Sequence, residues 1–301
     1  MILPPFLKPH DKVGLLSTSS FTEDSYIQEA VKILESWKLK PVLGKTIGAR
    51  QGSMAGSDKL RKQDLQDMLD DEEIKAIFQA TGGYGIVRII DQVDFSKFKY
   101  KPKWVVGYSD TTFMHNHLQG RLSTGSMHGT MAADLEAGYH AQSWESLRKA
   151  LFGEKLEYSM QPHPLNRTGT ASGMLVGGTI SILCNAKGTM SEVNSNGKIM
   201  FLEEVGEKHF RLDSYLISLK HAGKFDYVRG LIVGQLIEME DDDPPFGKTP
   251  EEIVFDAVKE FDFPVAFGFK AGHGAVNKAL ILGGLVHLRV DAQGTTFSFE
   301  T

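Results

Sequence analysis

The sequence predicts an α/β protein, with a helix-covered parallel sheet in its first half and a mixed, strand-rich second half. Three observations carry this. Short apolar runs alternate with amphipathic segments from Val13 to Val106, the order that builds a parallel sheet from strand–helix units. Two of these runs stop at glycine-bearing loops, Thr81-Gly82-Gly83-Tyr84-Gly85 and Gly107-Tyr108-Ser109. Such sheets bind ligands beyond the carboxyl ends of their strands, so both loops fall on one rim. The second half loses the regular alternation and ends in two or three β segments between Ala279 and Phe299.

Taken in order, Val13-Gly14-Leu15-Leu16 reads as a strand, and a helix over 23–37 follows with Ile27, Val31 and Leu34 on one face. Pro41-Val42-Leu43 is a second strand. Ser57 then caps a helix whose apolar face holds Leu60, Leu65, Met68 and Leu69. Ile74 to Phe78 forms a third strand, and a short helix through Val87, Ile89 and Ile90 leads to the strand Trp104-Val105-Val106-Gly107. A helix opens after Ser109, where Asp110 or Thr111 is placed to cap it. Residues 154–169 break the pattern and carry Pro162 and Pro164, so they read as a linker between domains 1–153 and 170–301. Beyond it, strands are expected near 198–201, 230–234 and 264–269, and helices near 211–220 and 250–261.

At 301 residues the chain has room for two domains. Its net charge of -5 and dispersed basic residues argue against a nucleic-acid partner. The single cysteine, Cys184, excludes an internal disulfide, fits a reducing compartment and ends an apolar run, where it reads as a buried small hydrophobe. Met1 to Leu7 lacks the cationic start and long apolar region of a secretory signal, and no apolar stretch reaches membrane-spanning length. A cytoplasmic protein with no membrane contact is expected.

The chemistry starts at Ser109, where the turn after a buried strand lifts a hydroxyl toward the rim. The competing reading is a serine that only caps the next helix, and Thr111 stands where a hydrolase elbow carries its second glycine. A serine nucleophile needs a base and a group to orient that base. His273, between Gly272 and Gly274, sits on a loop with room around it. Glu203 ends the apolar run 198–202, and a carboxylate there needs a partner. The imidazole is one such partner, and a lysine or arginine is another. The Gly82–Gly85 loop can offer an amide to an oxyanion alongside that of Asp110, or be a plain turn. His115, His117 and His128 raise a metal reading, but positions two apart on a helix face different sides. The acidic run 238–243 lacks a calcium-loop pattern and reads as a solvated loop.

Together these segments resemble the LD-carboxypeptidase family, which includes muramoyltetrapeptide carboxypeptidases and microcin C immunity peptidases. The resemblance runs in order through Gly82-Gly83-Tyr84-Gly85 with Arg88, Gly107-Tyr108-Ser109-Asp110 and His128-Gly129. It continues through Phe201 to Glu207, Phe210-Arg211-Leu212-Asp213, and Gly272-His273 with Asn277. It implies a flavodoxin-like N-terminal domain, a smaller β-rich C-terminal domain and a homodimer. It also implies a triad of Ser109 as nucleophile, His273 as base and Glu203 as its orienting acid, with oxyanion donors at the amides of Gly83 and Asp110. The implied reaction is removal of the terminal D-alanine from murein tetrapeptides in cell-wall recycling, with no metal and no organic cofactor. Arg211 is a candidate for the substrate carboxylate, in competition with pairing to Asp213 or Glu207. The rivals are a microcin-type peptidase acting on another amide, disfavoured by the lack of a late tryptophan, and a non-catalytic binding module. Thr81, Thr130, Thr179 and Ala271 depart from the family pattern, and none is expected to touch the triad.

Overall fold

A computed structural model describes residues 1–138 and 140–300. The first half runs β1 (Lys12–Leu16), α1 (Asp24–Ser36), β2 (Lys40–Leu43), α2 (Asp58–Asp70), β3 (Ile74–Gln79), α3 (Ile86–Ile89), α4 (Ser96–Tyr100), β4 (Trp104–Gly107), α5 (Thr111–Leu122), β5 (Ser126–His128) and α6 (Ala141–Leu151). The second runs β6 (Glu157–Met160), β7 (Gly169–Thr179), α7 (Ile180–Asn185), β8 (Ile199–Val205), α8 (His209–His221), β9 (Gly230–Ile237), α9 (Pro250–Val258), β10 (Val265–Ala266), β11 (Leu280–Leu282), β12 (Leu285–Asp291) and β13 (Gly294–Phe299).

Local chemistry sets these boundaries. Ser57 Oγ accepts the Leu60 amide at 3.2 Å and starts α2 where the sequence places it. Thr249 and Glu252 cap α9 reciprocally, with Pro250 in its first turn. β3, β4 and β8 are buried almost end to end, as strands covered on both faces must be.

The first sheet has the order β2-β1-β3-β4-β5 with all these pairs parallel, the flavodoxin-like arrangement. Its switch point lies between β1 and β3, so the turns after β1 and β3 open a crevice at their carboxyl ends. The second sheet, β10-β9-β8-β7-β12-β13-β6, is parallel from β10 to β7 and antiparallel beyond.

Two segments lie elsewhere than their sequence suggests. The stretch read as a linker contains β6, whose residues 157–160 pair with β13. From the second half, β11 crosses over and pairs antiparallel with β5 at the edge of the first sheet. One core therefore serves both halves: Leu15, Phe78 and Val106 belong to the same apolar cluster as Phe201, Leu280 and Phe297. A second cluster lies between the second sheet and α8 and α9, and a third under α2 and α5. No helix among the described residues is long and apolar enough to cross a membrane.

Candidate active site

Ser109 sits between the end of β4 and the start of α5 with φ at +58°, the left-handed region that costs a residue with a side chain about 1–2 kcal/mol. The turn is closed by backbone bonds from Thr111 N–H to Tyr108 O and from Thr112 N–H to Ser109 O. Space for the hydroxyl comes from Gly82, where a Cβ would lie 2.9 Å from Ser109 Oγ. Gly83, next along, has φ +96° and would drive a Cβ into Ser20 Oγ, so glycine is required there as well. Among the described residues, the amides of Gly83 and Asp110 donate to no acceptor within the protein.

Asp110 occupies the position before α5, but its carboxylate makes no capping bond to that helix. Instead Oδ2 accepts Ser19 Oγ–H at 2.6 Å and the Ile86 amide at 2.9 Å. Its backbone is already helical, which turns the carboxylate away from the first free amides of α5. Burial raises the Asp110 pKa, against the opposing pull of these donors and Arg61.

Glu203 lies within the buried part of β8 and is fully enclosed. Its Oε2 accepts His273 Nδ1–H at 2.8 Å, and its Oε1 accepts Thr179 Oγ1–H at 2.5 Å. This network sets the tautomer and leaves Nε2 as the basic nitrogen of His273. Burial opposes the charge on Glu203, yet the adjacent His273, with His128 and Thr179, outweighs it and holds the carboxyl below its ordinary range. Burial also works against a charged His273, and Glu203 more than offsets it, so the imidazole pKa is raised. The His273 ring packs edge-on against Tyr108, centroids 4.8 Å apart, which sets it beside the residue preceding Ser109.

A second tier steadies this pair. Asn277 Oδ1 accepts the Gly272 amide and His128 Nε2–H, both at 3.0 Å. Burial lowers the His128 pKa to about 4 and keeps the ring neutral. Tyr108 Oη–H donates to Asp134 Oδ1, whose other oxygen accepts Thr130 Oγ1–H, each at 2.7 Å. Of the departures from the family pattern, Thr179 runs contrary to the sequence expectation, while Thr130 keeps clear of Ser109, Glu203 and His273. Thr179 touches Glu203 directly, and Thr130 acts through Asp134 and Tyr108. A hydroxyl after a glycine pair has no periodic signature, so only the spatial approach of β7 to β8 reveals the first contact.

Other residues singled out in the sequence lie apart. His115 Nε2–H donates to Gly107 O, and His117 bonds Ser191, both at 2.9 Å, so the two rings serve different partners. Among the described residues no group of three His, Cys, Asp or Glu side chains is placed to hold a metal. Asp241 and Asp242 in the acidic run face His209 and Lys208. Cys184 is half-buried on α7. Arg211 is exposed on α8, with Nη1 3.8 Å from Glu207 Oε2. Glu204, beside Glu203, accepts the amides of Ser181 and Val205, and burial pushes its pKa up to about 7.

Comparisons with known proteins agree with this architecture. Residues 13–129 match the LD-carboxypeptidase N-terminal domain and residues 172–288 the LD-carboxypeptidase C-terminal domain. A probable murein peptide carboxypeptidase of Bacillus subtilis is 31% identical, over 93% of this chain and 89% of its own length. Muramoyltetrapeptide carboxypeptidase from Oxalobacter formigenes has the same fold, with TM-score 0.88 at 21% identity, covering 96% of this chain and 99% of that one. The microcin C7 self-immunity protein MccF also superposes with TM-score 0.88 at 21% identity, covering 100% and 99% of the two chains. With both domains matched in order and a relative this similar along nearly its whole length, the chain belongs to the LD-carboxypeptidase family of serine-type carboxypeptidases.

Proposed function

We propose that the chain removes the terminal D-alanine from murein tetrapeptides in cell-wall recycling, through a triad of Ser109, His273 and Glu203. The observation that carries this reading is the buried Glu203 carboxylate on His273 Nδ1 at 2.8 Å, with that ring packed beside the strained Ser109 turn. The similarity to a probable murein peptide carboxypeptidase of Bacillus subtilis supports a murein peptide as substrate.

In this mechanism Ser109 Oγ attacks the scissile carbonyl carbon while His273 Nε2 takes the hydroxyl proton. Glu203 stabilises the imidazolium that forms. The developing oxyanion is received by the amides of Gly83 and Asp110, which have no internal acceptor among the described residues. His273 then gives its proton to the departing amine of D-alanine, leaving an acyl-enzyme at Ser109. Water, deprotonated by His273, hydrolyses the ester. Every step uses side chains and amides of the chain alone, with no cofactor. Arg211 is kept as a candidate for the substrate's free carboxylate, in competition with its pairing to Glu207. The working form is taken to be a cytoplasmic homodimer whose partner is the murein peptide, with neither nucleic acid nor membrane involved.

The test is release of free D-alanine from a murein tetrapeptide by wild type, Ser109→Ala and His273→Ala. Release by wild type with both variants down by about 10⁴-fold or more supports the reading. Release that survives in Ser109→Ala overturns the serine mechanism. Wild-type inactivity on the tetrapeptide, with cleavage of an aminoacyl sulfamoyl nucleoside, assigns the site to a microcin-type amide instead. If KM stays unchanged in Arg211→Ala, that side chain is confined to its pairing with Glu207.

A further inference from the structure

Asp110 contributes its backbone amide to the site as read above, and its side chain does something separate. Asp110 is 2% exposed, and its carboxylate reaches back across the rim to two segments at once. Through Ser19 Oγ–H at 2.6 Å it holds the turn after β1, and through the Ile86 amide at 2.9 Å it holds the exit of the 82–85 loop. The two segments lean on each other: Ser20 N–H donates to Gly82 O at 3.2 Å, and Gly83 lies directly under Ser20 Oγ. Arg61 completes the support from below, with Nη1 donating to Thr18 O at 2.5 Å. The loop that carries the Gly83 amide is thus clamped at its entrance by Ser20 and at its exit by Asp110.

We propose that the Asp110 carboxylate is a positioning residue that sets the Gly83 amide at a fixed distance from the Asp110 amide, so that one residue registers both oxyanion donors. The proposal rests on the oxyanion reading given above and deepens it. Its physical basis is that a two-donor site works only if both amides converge on one point, and these two belong to loops after different strands. A side chain rooted at one donor and bonded to the loop of the other fixes their separation. The capping of α3 by the same carboxylate at Ile86 is the local means by which it does so.

Asp110→Ala leaves the residue-110 amide in place and removes only the anchor, so it separates the two roles. The measurement is the single-turnover rate of Ser109 acylation by a tetrapeptide, with affinity for a peptidyl phosphonate as the second readout. Asp110→Ala is expected to acylate about 10²-fold more slowly, the cost of one misplaced oxyanion donor, with substrate affinity within about threefold and phosphonate affinity falling in step with the rate. Asp110→Asn, which keeps an acceptor oxygen of the same shape, is expected to recover to within about tenfold of wild type, and Ser19→Ala to lie between. Acylation of Asp110→Ala at the wild-type rate overturns the proposal, as does Asp110→Asn remaining as slow as Asp110→Ala. Should Asp110→Ala fail to fold, Ser19→Ala decides, and an unchanged acylation rate in that variant overturns the proposal. Failure of the underlying reading looks different, because wild type itself then forms no acyl-enzyme at Ser109.

Discussion

Glu203 is bonded by two donors, Thr179 Oγ1–H on one oxygen and His273 Nδ1–H on the other. A glutamine in its place offers one acceptor where two are needed. Thr179 keeps the carbonyl oxygen, the amide group is driven against Nδ1, and the ring adopts the wrong tautomer. Glu203→Gln is therefore expected to lower turnover by about 10⁴-fold, measured as D-alanine release. Its pH profile moves as well. Since Glu203 raises the His273 pKa, acylation in wild type should gain its base as pH climbs through a point above 6.5, and in the variant through a lower one, because burial is then opposed only by the weaker pull of Glu204 and Asp134. Glu204 gives a stability signature instead. Its pKa is raised from 4.5 to about 7, so its contribution to stability is whole below 4.5 and is lost as pH rises through about 7. In urea titrations the Glu204→Gln variant should lose this slope between about pH 5 and 8, whatever its absolute stability; an undiminished slope places the titration elsewhere.

At the level of elements, the loops carry the chemistry and the strands aim it. Gly82 shows how little room remains: an alanine Cβ would sit 2.9 Å from Ser109 Oγ. Gly82→Ala is expected to cost about 10²-fold in acylation by displacing the hydroxyl, against about 1–3 kcal/mol of stability from crowding. Single-turnover kinetics beside a urea melt separates the two. The strands that aim these loops are readable in the sequence because β1, β4 and β8 hold unbroken apolar runs, and β3 one interrupted only by Lys75, each ending at glycine or a polar residue. Ser109, Glu203 and His273 stood out for the same reason, each placed where such a run stops or where glycines clear space. The run 180–184 became helix α7, and a short apolar segment does not distinguish helix from strand by period. β6 is a four-residue strand just before Pro162 and Pro164, and β11 spans only three residues, too few for any pattern to register. Thr179, Thr130 and Asn277 were legible as residues but not as contacts, since their partners come from other elements.

Across the whole molecule, β11 makes the two halves one folding unit. It closes the edge of the first sheet beyond β5 while the adjoining β12 belongs to the second. The shared core implies that neither half is stable without the other. All three tryptophans, Trp37, Trp104 and Trp144, lie in the first half, so fluorescence reports that half while far-UV circular dichroism reports both. The two urea midpoints are expected to coincide, and a fluorescence transition well separated from the dichroism transition would show that the halves unfold independently. The same arrangement has a consequence for biosynthesis. Synthesis runs from the N-terminus, so Ser109 leaves the ribosome well before Glu203, and His273 follows last, just ahead of the strand that seals the first sheet. On the proposed mechanism, a growing chain thus carries its hydroxyl before the imidazole meant to activate it. If the proposed triad holds, chains cut short before His273 are expected to be inert, which D-alanine release by C-terminally truncated protein would check.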